Sequence, residues 1–338
     1  MKFGLFFQLP CAVDQAPAAR YQDTIAQCHL ADELGFDAAW LAELHFNQRF
    51  SVMSAPLMIA SAIAQTTKNI RIGTAVHLMA LHHPMRLAEG AATLDVLSGG
   101  RSIFGIGRGS IPTHFLGYGI DQEQARERFL EGLEMVLGMW THEEYFYKGQ
   151  YYNADGISVA PRPVQQPHPP VYIAANSADT FEIVGSLGHN ILVAPTIVTV
   201  QGALDGLASY RRELGENGHD EAKVRVNVNV PVHVAETEKE AQAGFETTIN
   251  NYIGTLRNMA SAGKGSQRAM SLTYELVRDE FAAVGTPQQV ADKLQSFKAR
   301  YNPQEFMCWF NIGGMLPHEQ VANSMRLFAQ EVMPQFQE

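Results

Sequence analysis

Several features that define other protein classes are scarce in this 338-residue chain. It has three cysteines and no C-x-x-C pair, so neither a disulfide framework nor a thiolate zinc site is indicated, and we expect a reducing, cytoplasmic location. Every apolar run is far shorter than the roughly 20 residues that cross a bilayer. The opening segment carries one lysine and soon meets Pro10, which is a poor signal peptide. Membrane insertion and secretion are therefore not expected.

Basic residues are also too few for nucleic-acid binding. The chain has 25 Lys and Arg against 35 Asp and Glu, a formal charge of -10, and it contains no basic block that could follow a phosphate backbone. What it does have is a 46% hydrophobic content, which is enough to fill a sizeable core at this length. These proportions indicate a soluble globular protein.

Short apolar or β-branched runs recur along the chain, with helical patterns between them. The runs are residues 3–7, 38–42, 70–76, 102–106, 171–175, 191–194, 224–234 and 306–312. Strands that alternate with helices imply parallel pairing, and eight such units close a (β/α)8 barrel. We therefore predict an α/β protein with a TIM barrel, formed by a single domain over residues 1–338; an open doubly wound sheet is the alternative.

Two segments interrupt the alternation. Within residues 145–170, the sequence after Tyr145 reads FYKGQYYNADGISV and then APRPVQQPHPP. This pattern predicts a hairpin insertion and a proline-rich crossing before the fifth strand. Residues 258–281 lie after the helix that follows the seventh strand, and they begin with small and polar residues. Long insertions at that end of a barrel are commonly lids, so we predict a lid-like insertion, with an ordered extra helix as the alternative.

Polar side chains follow the second and third runs, where a barrel places its active site. Glu43 and His45 end the second run, and a strand over residues 38–46 would point both to one face. His77 and the pair His82 and His83 follow the third run. Any one of these imidazoles can instead satisfy loop backbone groups, but together they predict a carboxylate–imidazole cluster at one mouth.

A glycine-rich turn, GIGRGS, follows the fourth run. Ser110 stands where the dinucleotide fingerprint needs its third glycine, and Pro112 is expected to interrupt the helix start, so a Rossmann site is rejected. The turn presents Arg108, whose planar guanidinium suits a phosphate. A solvated surface arginine is the alternative.

A second anion-binding element is predicted after the fifth run, in the segment AANSADT. Asn176 or Ser177 is expected to cap a helix, whose free N–H groups attract anions. The hydroxyls of Ser177 and Thr180 would then converge with Arg108 on one phosphate. Plain helix capping explains the same residues in isolation, so the pairing with Arg108 carries the interpretation.

The order and spacing of several stretches resemble the bacterial luciferase-like flavin-dependent monooxygenase family over nearly the whole chain. The stretches are MKFG, ELGFDAAWLAELHF, IRIGTAV, HHPMRLAE, LDVLSGGR, FGIGRG, PVYIAANSADT, VGTPQQ and MRLFAQEVMP. The resemblance implies a (β/α)8 barrel that binds FMN, with Arg108, Ser177 and Thr180 at its phosphate and Asn176 beside them. It also implies a cis peptide at Ala75–Val76 beneath the flavin ring.

The resemblance also bears on the opening cluster. Luciferase reads E-H-H-F there, and its first histidine is the one usually given the acid–base role; this chain has Leu44 in that place and keeps His45. His45, oriented by Glu43, is therefore the candidate general acid or base. Luciferase's own aldehyde chemistry and light emission are not implied.

By resemblance, the expected enzyme is a two-component monooxygenase. Reduced FMN would come from a separate flavin reductase, since no nicotinamide fingerprint is present, and O2 would oxidise a small organic substrate through a C4a-peroxyflavin. A homodimer through the second and third helices is implied as well. The alternatives are a flavin-binding protein without turnover, an F420-dependent oxidoreductase of the same fold, and a metal-dependent hydrolase built on Glu43 and the neighbouring histidines.

Overall fold

In a computed structural model that describes residues 1–12 and 14–337, eight parallel strands close into a barrel. The strands are β1 (Lys2–Phe7), β2 (Ala38–Leu41), β3 (Arg71–Thr74), β4 (Ser102–Gly107), β5 (Val171–Ala175), β6 (Asn190–Val193), β7 (Val226–Val234) and β8 (Glu305–Trp309). Each strand pairs with its neighbours along the chain, and β8 pairs back onto β1 with Phe306 opposite Phe3. The predicted (β/α)8 barrel is confirmed.

Helices surround the barrel on the outside. They are α1 (Pro17–Leu34), α2 (Pro56–Thr66), α3 (Pro84–Leu97), α4 (Pro112–Tyr118), α5 (Ala125–Thr141), α6 (Ala178–Leu187), α7 (Pro195–Val198), α8 (Val200–Glu216), α9 (Glu238–Ser261), α10 (Tyr274–Glu280), α11 (Pro287–Tyr301) and α12 (His318–Leu327). Several begin with proline, whose missing N–H is not needed in the first turn. Within residues 1–12 and 14–337, no helix is long and apolar enough to cross a membrane.

A layer of side chains fills the barrel interior below the carboxyl ends of the strands. Its centre is Trp40, which is buried and packs against Tyr172 with ring centroids 5.0 Å apart. Gly73 leaves room for the indole, because a Cβ there would lie 2.6 Å from it. Leu192 and Met307 belong to the same layer and also line the cavity described below. This layer fills the barrel interior, and the cavity lies at the end that carries the loops after the strands.

The insertion before β5 contains the predicted hairpin, with Tyr145–Lys148 antiparallel to Asn153–Ile157. It is held to α5 by one carboxylate, Glu131, whose oxygens accept hydrogen bonds from three successive backbone N–H groups. These belong to Gln150 (3.1 Å), Tyr151 (3.1 Å) and Tyr152 (2.7 Å). A Cβ at Gly149 would lie 1.9 Å from a Glu131 oxygen, so this anchor requires glycine there.

The insertion after β7 is largely helical. Residues 258–281 comprise the end of α9, a 3-10 turn at Gln267–Ser271 and α10. A short strand, Ala283–Gly285, then pairs with the end of β7 before α11 begins. The segment predicted as a lid-like insertion is therefore built mainly from helical turns.

Two local expectations were wrong. Strand β2 ends at Leu41, so Glu43 and His45 lie in a loop that includes Phe46 at a φ of 63° instead of in a strand over residues 38–46. Pro112 does not interrupt a helix, because α4 begins at this residue. A proline at the first helical position lacks only an N–H that would have no helical partner. A Rossmann site is still rejected, because the strands close into a barrel and a Rossmann fold is an open sheet.

Candidate functional site

A cavity of about 290 Å³ opens at the carboxyl ends of the barrel strands. Residues after nearly every strand contribute to its wall, as expected for the active-site end of this fold. Those that matter below include Glu43, Val76, Arg108, Asn176, Tyr252 and Trp309. The sequence-predicted candidates from β2 to β5 therefore meet in one place.

At one end of the cavity, Arg108 after β4 meets the start of α6 after β5. Its Nη1 atom lies 3.3 Å from Oδ2 of Asp179, in the first turn of α6. The hydroxyls of Ser177 and Thr180 lie 2.8 Å apart beside the same carboxylate. Because β4 and β5 are adjacent strands, the barrel brings the predicted cation and the predicted helix start together.

A second cation beside Asp179 was missed by the sequence reasoning. Arg126, in the first turn of α5, places Nη1 3.5 Å from Oδ2 of Asp179. A hydrogen bond from Ser177, together with the charges of Arg108 and Arg126, lowers the pKa of Asp179 below its ordinary value. Two guanidinium groups and one carboxylate give a net positive charge at the N-terminus of α6.

Ser177 precedes α6 with extended backbone, but its hydroxyl does not cap the helix, so the expected capping bond was wrong. The hydroxyl instead donates to Asp179 and lies against Thr180. Asn176, Ser177 and Thr180 all line the cavity. The polar atoms at the start of α6 are thus available to an anion in the cavity.

Next to Arg108 and the start of α6, the cavity wall is apolar. The Ala75–Val76 peptide bond is cis, as the family resemblance implies, and both residues line the cavity with Ala174. Gly107 lies directly against Val76, where a Cβ would be 2.6 Å from the valine side chain. An apolar surface beside the Arg108 guanidinium suits a mononucleotide that carries an aromatic ring and a terminal phosphate.

The predicted carboxylate–imidazole cluster is present around Glu43, whose side chain is fully buried. Its Oε1 atom lies 2.9 Å from Nε2 of His45 and 2.7 Å from Nε2 of His82, and its Oε2 atom lies 3.0 Å from Nδ1 of His77. His83 is not part of this network and faces Tyr152 instead. One carboxylate thus organises the loops after β2 and β3.

The hydrogen bonds stabilise the anionic form of Glu43. Each imidazole needs only one N–H to reach the carboxylate, which accepts all three hydrogen bonds when it is ionised. Burial opposes the charge of Glu43, but hydrogen bonds from the three histidines hold the pKa of its carboxyl well below its ordinary value. Burial likewise lowers the pKa of His77. Glu43 is therefore a stable buried carboxylate at the cavity wall.

Glu43, His77 and His82 also have the spacing of a possible metal site. One ligand atom from each lies within 4.8 Å of the others. The histidine nitrogens are, however, 2.7 and 3.0 Å from the Glu43 oxygens, which is hydrogen-bond distance. Hydrogen bonding accounts for this arrangement.

His45 lies behind the cavity wall, which is formed here by Glu43 and Leu44. Nδ1 of His45 lies 3.3 Å from the hydroxyl of Tyr118, and its backbone N–H donates to Nε2 of His114 over 3.2 Å. Tyr118 and His114 both come from α4 and were not singled out in the sequence. The structure therefore connects the candidate acid–base residue to a helix that sequence reasoning left without a role.

The roof of the cavity comes from α9 and not from the insertion that follows it. Tyr252 of α9 packs on Trp309 with ring centroids 5.1 Å apart, and both line the cavity with Phe50. In the part of the chain that the structure describes, none of residues 258–281 lines the cavity. Their gating role stays a prediction.

Comparisons with known proteins agree with this geometry. The family model of the luciferase-like monooxygenases matches residues 1–301. The oxygenase component of flavin-dependent trigonelline monooxygenase from Acinetobacter baylyi is 27% identical over 353 aligned positions, covering 100% of this chain and 96% of that protein.

Solved structures show the same fold over the whole chain. Monooxygenase RslO1 of Streptomyces bottropensis superimposes with a TM-score of 0.87 at 27% identity, covering 100% of both chains. The oxygenating constituent of 3,6-diketocamphane monooxygenase from Pseudomonas putida, solved with FMN, superimposes with a TM-score of 0.80 at 20% identity, covering 99% of this chain and 98% of that one. As the sequence resemblance predicted, the chain belongs to the luciferase-like monooxygenase family.

Proposed function

We propose that this protein is the oxygenase component of a two-component, FMN-dependent monooxygenase. It takes reduced FMN from a separate reductase and uses O2 to oxidise a small organic substrate. The full-length similarity to an oxygenase component supports the two-component arrangement. The observation that carries the proposal is the meeting of Arg108 with the start of α6 at one end of a cavity whose wall is the Ala75–Val76 peptide.

The phosphate of FMN would be held at the start of α6. Arg108 and Arg126 supply two positive charges, and the hydroxyls of Ser177 and Thr180 supply hydrogen bonds. Asn176 lines the cavity beside them. A phosphate dianion carries more charge than Asp179 and fits the planar guanidinium groups in a bidentate manner, so it can replace this carboxylate as their partner.

The flavin ring would lie on Ala75 and Val76. When bound and reduced, the flavin supplies the electrons that activate O2 for transfer of one oxygen atom to the substrate. The apolar wall, with Tyr252 and Trp309 above it, excludes water from that reaction.

Glu43 and His45 are proposed to manage protons at the opposite wall. Glu43 reaches the cavity as an anion, and its hydrogen bonds to three imidazoles fix the orientation of His45, the proposed proton carrier. His45 links this carboxylate to Tyr118, so a proton can move between the cavity and the outer face of α4 through hydrogen-bonded atoms. Leu44 leaves an apolar surface in between.

The cofactor assignment is tested by titration with FMN, riboflavin and F420. Replacing Arg108 with Ala is expected to weaken FMN binding by about 1.5–3 kcal/mol, the value of a charged hydrogen bond, and to leave riboflavin binding unchanged because riboflavin has no phosphate. Arg86→Ala is the matched control, since Arg86 is an exposed partner of Glu89 on α3. An unchanged FMN affinity, or tighter binding of F420 than of FMN, would contradict the proposal.

Formation of an oxidised product separates an enzyme from a flavin-binding protein without turnover, because reduced FMN consumes O2 on its own. With reduced FMN and a panel of aldehydes, ketones and amines, the proposal requires substrate-dependent product formation. Binding of FMN with no product from any member of a broad panel would favour simple sequestration.

We also propose that two copies associate through α2 and α3, as the family resemblance implies. These helices expose large apolar side chains, Met58 on α2 and the adjacent Val96 and Leu97 on α3. Burying them against a second copy would remove apolar surface from water.

A further inference from the structure

His114 is a cavity-lining residue to which the family resemblance gives no role. It lies on α4 with only 3% of its surface exposed, and its ring packs edge-on against His45 at a centroid distance of 5.3 Å. Its Nε2 atom accepts the backbone N–H of His45 over 3.2 Å. Because an amide nitrogen can only donate, Nε2 carries no proton, and the proton of the neutral ring resides on Nδ1.

The Nδ1–H group is a donor without a protein partner. None of the described residues makes a hydrogen bond to Nδ1. This atom is also not one of the fully buried atoms without a partner, so it keeps some accessible surface. Burial and the neighbouring His45 lower the pKa of His114 to about 4, so the ring is neutral at neutral pH. The loop after β2 thus holds this imidazole in one tautomer, with its one remaining donor unpaired.

The surroundings select the kind of acceptor. Leu44 and Ile111 line the same part of the cavity and pack on an apolar cluster that includes Trp309. The charged group near His114 is the carboxylate of Glu43, which also reaches the cavity. A substrate carboxylate at this position would be repelled by Glu43, whereas an uncharged oxygen would gain the hydrogen bond at little desolvation cost.

We propose that His114 is a specificity-determining residue that donates its Nδ1–H hydrogen bond to an uncharged carbonyl oxygen of the substrate. This inference rests on the proposed function for the reaction that follows, but the binding contact can be measured without turnover. It assigns the acceptor end of the substrate to the α4 side of the cavity, away from Arg108.

Two conservative variants separate this role from a structural one. In His114→Asn, the side-chain NH2 group overlies Nδ1 and keeps the donor, but the acceptor for the His45 N–H is lost. In His114→Gln, the amide reaches the position of Nε2 and its oxygen keeps that acceptor, but the donor into the cavity is lost. A donor role predicts that Asn retains substrate binding and Gln does not, and a purely structural role predicts the reverse.

The probes are three six-membered rings of similar size: cyclohexanone, methylenecyclohexane and cyclohexanecarboxylate. Their dissociation constants are measured by ligand-observed NMR on the full chain, with and without FMN. The wild type and His114→Asn are expected to prefer cyclohexanone over methylenecyclohexane by roughly three- to ten-fold, the range of one net hydrogen bond, and to bind the carboxylate weakest. His114→Gln is expected to lose the preference.

Several outcomes would overturn the inference. They are a wild type without preference for cyclohexanone, a preference that survives in Gln and disappears in Asn, and tighter binding of the carboxylate. Nitrogen-15 NMR of the histidine ring is expected to show a neutral Nδ1–H tautomer at pH 7, and the other tautomer would refute it as well. Failure to bind FMN would count against the proposed function alone, because the probe preference is measured without FMN too.

Discussion

Asp179 is predicted to compete with the FMN phosphate for its two arginines. The carboxylate lies 3.3 Å from Arg108 and 3.5 Å from Arg126, so a phosphate must take over both contacts before it can bind fully. Replacing Asp179 with Asn removes the negative charge and keeps an oxygen that can accept the hydrogen bond from Ser177. We expect Asp179→Asn to bind FMN more tightly than the wild type.

The size of the effect follows from the exposure of these ion pairs. The three side chains are 34%, 48% and 38% exposed for Arg108, Arg126 and Asp179, so solvent screens both contacts. Pairs of this kind contribute about 0.2–1 kcal/mol each, and two of them give about 0.4–2 kcal/mol. FMN affinity should therefore rise roughly two- to thirty-fold, since about 1.4 kcal/mol corresponds to ten-fold.

The assay is a flavin titration of both proteins at low and moderate ionic strength, with riboflavin as the ligand that lacks phosphate. Asp155→Asn in the exposed hairpin is the control for the change in net charge. The gain should be confined to FMN, and it should shrink as salt increases. Weaker FMN binding by Asp179→Asn would refute the reasoning, because it would mean that Asp179 positions the arginines and does not compete for them.

Three other predictions follow from features described above. Glu43→Gln should lower the free energy of unfolding by about 1–3 kcal/mol and reduce turnover, because the new amide presents N–H groups to histidine donors. Urea unfolding measures the stability and formation of the oxidised product measures the turnover; full activity would contradict the prediction. Burial lowers the pKa of His233 from 6.5 to about 4. Between these two pH values the unfolded chain binds a proton that the folded chain does not, so the free energy of unfolding falls as the pH decreases from 6.5 to about 4. In urea unfolding between pH 7 and 5, the free energy of unfolding of His233→Leu should fall less steeply than that of the wild type, by up to ~1.4 kcal/mol per pH unit. An identical pH dependence in both proteins would argue against this prediction. Sedimentation should give a species of twice the 37.3 kDa chain mass that Met58→Glu dissociates, and a wild-type monomer would rule out the association.

The strands were predictable because a barrel strand is buried on both faces and reads as an apolar run. The meeting of Arg108 with Ser177 and Thr180 followed from the same order, since consecutive runs become adjacent strands. The cluster around Glu43 was predictable for the same reason, although its residues lie in a loop beyond β2. The prediction that Glu43 and His45 lie close together was correct, but its reason, side-chain alternation along a strand, was wrong.

Residues on the helices at the mouth could not be predicted in this way. Arg126 and His114 lie on α5 and α4, and nothing in their local sequence shows which direction those helices take over the cavity. The hydroxyl of Ser177 was expected to accept a backbone N–H of α6, whereas it donates to the Asp179 side chain, which also contacts Arg108 just after the preceding strand. The single-domain assignment of the whole chain stays a prediction.

The anchor between Glu131 and the hairpin has a consequence for how the site tolerates change. The hydrogen bonds of Glu131 to residues 150–152 reach backbone N–H groups, so substitutions of the Gln150 and Tyr151 side chains leave those bonds in place. The neighbouring Tyr152 touches the backbone of His82 through its hydroxyl, 3.4 Å from the carbonyl oxygen. A carboxylate outside the barrel thereby steadies the histidine that reaches Glu43, and relatives that lack it, or lack the small residue at position 149, must hold that loop by other means.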